Sequence, residues 1–196
     1  MMHLRRFAAL LIGAWLAGGL LLITVATQNF RSVERLLAEP SADAAKEIRK
    51  LGQNPARAFL RYHAGELNRS HFEDWERVQL ALGVLLLGTL WASIPRRQGL
   101  LLLAALMLML VIVAHWGITP AMARLGGRLG FPPAGSPHPD HRRFWDYHNL
   151  YFGIEVLKLT MGVVIGFSLV LRSRRRSRRP AGEPAAVTAV SGDQEN

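Results

Sequence analysis

Four apolar runs, at residues 7–27, 78–94, 99–118 and 150–171, constrain this chain more than any other feature. Each is close to the roughly 20 residues that an α-helix needs to cross a hydrocarbon core. Inside a bilayer the backbone must satisfy its own hydrogen bonds, so such runs fold as helices. The second is the shortest, and its helix is expected to extend into polar sequence on its outer side. Charged stretches separate the runs, so half of the 196 residues are hydrophobic while the mean hydropathy is only +0.15. The expectation is an all-α fold. Residues 1–171 form one domain, a four-helix transmembrane bundle with a helical extramembrane segment at 28–77, and 172–196 form a basic, disordered tail.

Arg5 and Arg6 precede the first run, as in a signal peptide, but its apolar part exceeds the ~7–15 residues usual for one. It is read as a retained span. The chain has no cysteine, which excludes disulfides, thiolate metal sites, iron–sulfur clusters and covalently attached haem.

The segment after Thr27 keeps helical spacing at Phe30, Val33 and Leu37, and the first helix is expected to stop near Pro40. A short charged helix should follow, capped by Ser41 and ended by Gly52. Asn54–Pro55 signals the start of another, running to about Gly65. Ser70 and Glu73 have the spacing of a capping box and are expected to open the second membrane helix, with Pro95 ending it. Arg96 and Arg97 make a tight turn into the third. Thr119 and Pro120 mark its end or a kink, the Gly/Pro-rich stretch 126–139 reads as loop, and Asp140 caps the fourth helix.

That fourth helix carries the most informative pattern. His141, His148, Glu155 and Gly162 recur every seven residues, with Tyr151, Lys158 and Ile165 in a companion register, so all lie on one face. Charges on such a stripe are costly unless they face protein or water. Glu155 and Lys158 are three apart and can meet. One reading is a relay for protons or ions through His148, Tyr151, Glu155 and Lys158; the other is an ion pair that fixes how the helix sits. Gly162 and Gly166 continue the stripe as a close-packing seam, inside the bundle or in a homo-oligomer.

Every histidine except His3 falls on the outer side. His115, at the end of the third span, and His148, at the start of the fourth, sit at similar depth, with His71 on the same side, before the second span. A copper or haem site at His71, His115 and His148 is one reading; interfacial hydrogen bonding is the other, since no tight ligand spacing occurs. Met107 and Met109 are two apart and point to different faces. No nucleophile stands beside a base and no phosphate-binding Gly loop is present, so nothing points to a hydrolase or a nucleotide-dependent enzyme.

The formal charge of +10 is concentrated at the end. Six arginines lie between 172 and 179, and Arg172, Arg174, Arg175 and Arg176 directly follow the last span. They read as a topology signal and as contacts to anionic lipid headgroups. Nucleic acid is the weaker partner, because no folded module accompanies them. Arginines in the short turn and at the span ends favour both termini in the cytoplasm, in a bacterial inner membrane.

Three stretches resemble the transmembrane-protein-205-like family of small four-helix membrane proteins. The first is Gly13-Ala14-Trp15, leading through span 1 to Asn29-Phe30-Arg31-Ser32. The second is His115-Trp116 with Pro120. The third is Arg143-Phe144-Trp145-Asp146-Tyr147-His148-Asn149, similar to the family's Phe-x-x-x-His pattern. The longer loop between spans 1 and 2 and the Glu155/Lys158 pair depart from the family. The resemblance implies a fold and a membrane location, and little about activity. The Trp15 to Gly19 region is faintly similar to the copper-resistance protein D group. The leading expectation is a non-enzymatic integral membrane protein with a structural or accessory role; the alternative is a metal-, haem- or proton-handling membrane protein.

Overall fold

The computed structural model describes residues 2–93, 98–129 and 139–177, with side chains over 3–92, 98–129 and 139–171. The described elements are all helical: α1 (Met2–Ala38), α2 (Ala42–Leu51), α3 (Gln53–Ser93), α4 (Gln98–Val113), a π-helical turn (Ala114–Ile118), α5 (Thr119–Leu129) and α6 (Pro139–Ser177). Three helical stretches are long and apolar enough to cross a membrane, His3–Ala38, Gln98–Leu129 and Pro139–Leu171. The apolar part of α3 is shorter, because 78–93 follows directly on Glu76 and Arg77.

Side-chain pairs fix how the helices run. Along α1 and α3, Trp15 meets Gly83, Gly18 meets Trp75, Asn68 donates to the Ala26 carbonyl at 3.1 Å, and Arg61 donates to Glu34 at 3.0 Å. Rising numbers on one helix match falling numbers on the other, so the two are antiparallel. α4 returns along α3, with Leu108 against Gly83. α6 is antiparallel to α1: Leu159 packs at Gly19, Leu16 and Ile12 at Gly162, and Ile12 again at Gly166.

These contacts enclose a core of Ile12, Trp15, Leu86, Leu90, Met107 and Ile165, drawn from α1, α3, α4 and α6. The same helices turn Leu20, Leu21, Trp91, Leu102 and Phe167 outward, all exposed. Large apolar side chains on both the inner and outer faces of a helix are what a lipid surround permits and water penalises. The seam at Gly162 and Gly166 is thus filled by α1 of the same chain, not left for a second copy. A Cβ at Gly162 would lie 3.0 Å from Leu16 Cδ2.

Beyond this part, α1 and α3 continue as a hairpin around Val33, Leu37, Ala56 and Ala64, with Ile48 of α2 packed on it. Ser41 accepts from the Ala44 N–H at 3.3 Å and caps α2. Gly52, at φ +86°, ends α2 by donating its N–H to the Ile48 carbonyl at 2.9 Å, a conformation that only glycine adopts cheaply.

Several local expectations differ from what is observed. α3 neither stops at Gly65 nor restarts at Ser70. A mid-helix glycine costs about 1 kcal/mol relative to alanine, and the buried packing of Ala64 and Asn68 against α1 outweighs it. Glu73 accepts from Arg69 at 3.4 Å, so the pairing runs along the helix surface, with no capping box. At Thr119 the helix is re-registered, not ended. Thr119 N–H donates to the Ala114 carbonyl five residues back, a wider turn that precedes Pro120 with its missing donor. Helix α5 then runs to Leu129, so 126–129 are helical and not loop. Asp140 falls in the first turn of α6, where an acidic side chain still complements the helix dipole. Pro95, the Arg96–Arg97 turn, His138, the tail beyond 177 and the side chains of Arg172, Arg174, Arg175 and Arg176 lie outside the described residues.

Candidate functional site

Along the repeating face of α6 the burial begins only past its first member, since His141 is exposed. Tyr151, Lys158, Gly162, Ile165 and Leu169 are buried, and His148 and Glu155 are partly so. The polar members of this face meet two residues of α3. Lys158, with no exposed surface, donates from Nζ to Glu155 Oε1 at 2.6 Å and to Gln79 Oε1 at 2.7 Å. The amide of Gln79 closes the ring by donating to Glu155 Oε2 at 3.3 Å. A buried ion pair survives only when further hydrogen bonds fill its valences, and here an amide bridges both charges.

One helical turn outward on the same face of α3 lies Glu76, whose side chain is fully buried. Thr119 donates to its Oε1 at 2.6 Å, and His115 Nδ1 stands 2.8 Å from its Oε2. The π turn and the start of α5 present both groups to it. His115 is also the opening of this set, with a fifth of its side chain exposed and its ring edge-on to Trp116 at 4.7 Å. Single wide turns of this kind recur where a helix must aim a side chain at a site.

Tyr151 sits between the two carboxylates. Glu76 and Glu155 both lie near enough to act on its buried phenol oxygen, through charge and through hydrogen bonding, although neither contact has the geometry of a well-formed hydrogen bond. The ring is held by Phe72, edge-on at 5.5 Å.

The site therefore contains Glu76, Gln79, His115, Thr119, Tyr151, Glu155 and Lys158. The sequence pattern singles out Tyr151, Glu155, Lys158 and His115, but not Glu76, Gln79 and Thr119. One signal was present: Glu76 and Gln79 stand three apart, and Gln79 is an amide just inside an apolar run. Their partners on other helices could not be read from spacing.

His148 is not part of the network; it stacks on Phe144 at 6.3 Å and meets Trp145 edge-on at 5.2 Å. Among the described residues no group of three or more His, Asp or Glu is placed to hold a metal ion. His71, His115 and His148 are thus not gathered into one ligand set, because His115 turns Nδ1 to Glu76 and His148 faces rings. Met107 is buried in the core and Met109 exposed, on different faces as their spacing requires.

The charge count sets what the arrangement can do. With Lys158 charged and both carboxylates ionised, the buried set holds one uncompensated negative charge. One proton, on His115 or on either carboxylate, restores neutrality, and low-dielectric surroundings reward that state.

No protein-family model, no curated protein and no solved structure matches this chain.

Proposed function

We propose that this chain is a non-enzymatic, multi-pass membrane protein of four antiparallel crossings, made by α1, α3, α4 with α5, and α6, whose buried polar cluster takes up and releases a proton. Support for α3 as a crossing is its antiparallel packing between two apolar neighbours, α1 and α4. The observation that carries the proton reading is the unequal pairing inside the cluster: two carboxylates, Glu76 and Glu155, against the single lysine Lys158. Intramembrane ionisable residues commonly mark proton or ion pathways. Both termini in the cytoplasm of a bacterial inner membrane, and headgroup contacts from Arg172, Arg174, Arg175 and Arg176, belong to the same proposal. Membership of the transmembrane-protein-205-like family is proposed on the three short motifs above.

A structural or accessory role is the second reading. The two hydrogen bonds on Lys158 favour it, because an ion pair held in this way can simply lock α3 to α6.

Infrared difference titration of the purified protein in lipid nanodiscs separates the two. A proton-handling site gives a protonated-carboxyl band that appears and disappears reversibly as the pH is cycled, and Glu76→Gln or Glu155→Gln removes or shifts it. A purely structural cluster shows no such band.

A further inference from the structure

The Tyr151 hydroxyl is the one buried polar group of the site without a well-formed hydrogen bond. Leaving a buried hydroxyl unpaired is costly, and a phenylalanine would fill the same space without that cost. Glu76 of one half of the site and Glu155 of the other both act on this hydroxyl. Its position on α6 is one turn outward from Glu155 and seven residues from Lys158, with the ring braced by Phe72.

We infer that Tyr151 is the bridge by which a proton passes between Glu76 and Glu155. This rests on the proton-handling reading above and adds a route to it. The proton arrives at the partly exposed His115 and passes to Glu76 across the 2.8 Å contact. Rotation about the phenol C–O bond then turns the O–H toward Glu155 while an oxygen lone pair is left facing Glu76, the two carboxylates that act on it. The Glu76 carboxylic acid gives its proton to the Tyr151 oxygen while the Tyr151 O–H gives its own to the Glu155 carboxylate. One O–H bond breaks and one forms at the phenol, which ends neutral as it began, and the charge has moved from Glu155 to Glu76. Nothing is oxidised or reduced. A hydroxyl that accepts and donates at once is suited to this transfer.

The surroundings leave few competing carriers. α1 has no ionisable residue between Arg6 and Arg31, and α4 has none at all. The π turn supplies His115, the start of α5 supplies only the non-titrating Thr119, α3 supplies Glu76 and Gln79, and α6 supplies Glu155 and Lys158. His148, three residues before Tyr151, is occupied by the rings of Phe144 and Trp145.

The test is time-resolved infrared spectroscopy after a pH jump on the whole protein in nanodiscs, with the two carboxyl bands assigned from Glu76→Gln and Glu155→Gln. In wild type the Glu76 band should respond first and the Glu155 band follow. In Tyr151→Phe the Glu76 band should keep its rate while the Glu155 band slows by about tenfold or more, the usual scale for removing a proton-transfer group. The variant's thermal midpoint should be unchanged or higher, since an unpaired hydroxyl has been removed. A purely packing role for the ring would leave the Glu155 rate alone. Wild type with no titrating carboxyl overturns the proton-handling reading itself. Titrating carboxyls with an unchanged Glu155 rate in Tyr151→Phe overturn the bridge alone, as does a wild type in which only one carboxyl ever titrates.

Discussion

Glu155–Lys158 and Glu47–Lys50 are the same pair in sequence, an acid followed three residues later by a lysine, and both close to within 2.7 Å. Their settings are opposite. Each member of the α2 pair is about three-fifths exposed, whereas Lys158 has no exposed side-chain surface and Glu155 very little. In water the α2 pair exchanges solvent contacts for a contact of similar worth. Inside the helix packing, the α6 pair has no solvent to return to, so each partner depends on the other and on Gln79. Helical spacing makes a pair geometrically available, and burial decides whether its loss is felt.

The largest expected effect breaks the buried member of this comparison. Lys158→Met leaves the Glu155 carboxylate without its cation and should cost about 3–5 kcal/mol, read as a loss of folded protein in denaturant titration in detergent. Adding Glu155→Met should restore most of that stability, because two apolar residues need no pairing. If the double variant is no better than the single, the pair contributes through shape and not through charge. A smaller effect sharpens the packing side. Gly162→Val places methyl groups against Leu16 and Ile12 one turn from Lys158, and overpacking of this kind costs about 1–3 kcal/mol, seen as a lower thermal midpoint. The smallest effect lies at the exposed pair. Lys50→Ala should change stability by under about 1 kcal/mol, within the scatter of repeated melts.

The same contrast explains which features could be read from the chain. The inward face of α6 was legible because a seven-residue recurrence is a property of one helix, and His148, Tyr151, Glu155, Lys158 and Gly162 announce it without reference to neighbours. The Ser41 cap and the Gly52 stop were legible for the same reason: both are local chemistry. Glu76 was hidden because it lies among the exposed acids and arginines of 66–77, such as the Arg77–Asp74 pair, and only the arrival of His115 and Thr119 from another helix sets it apart. The unbroken course of α3 was hidden too. Gly65 and the Ser70–Glu73 spacing are genuine local signals for a break, and long-range packing on α1 overrides them. The π turn left no local signature beyond Pro120.

Helix α3 has 41 residues and no break, a rod of about 60 Å at 1.5 Å per residue. Its outer end carries the hairpin with α2, and Glu76 and Gln79 stand near its middle. A rod without a joint behaves as a lever. A push on the hairpin reaches the two site residues as a tilt or a slide, undiminished by any hinge between. Because Glu76 and Gln79 project from the same side of the rod, such a tilt would alter their distances to α5 and α6 together, so a load on the hairpin would be felt mechanically at the buried charges.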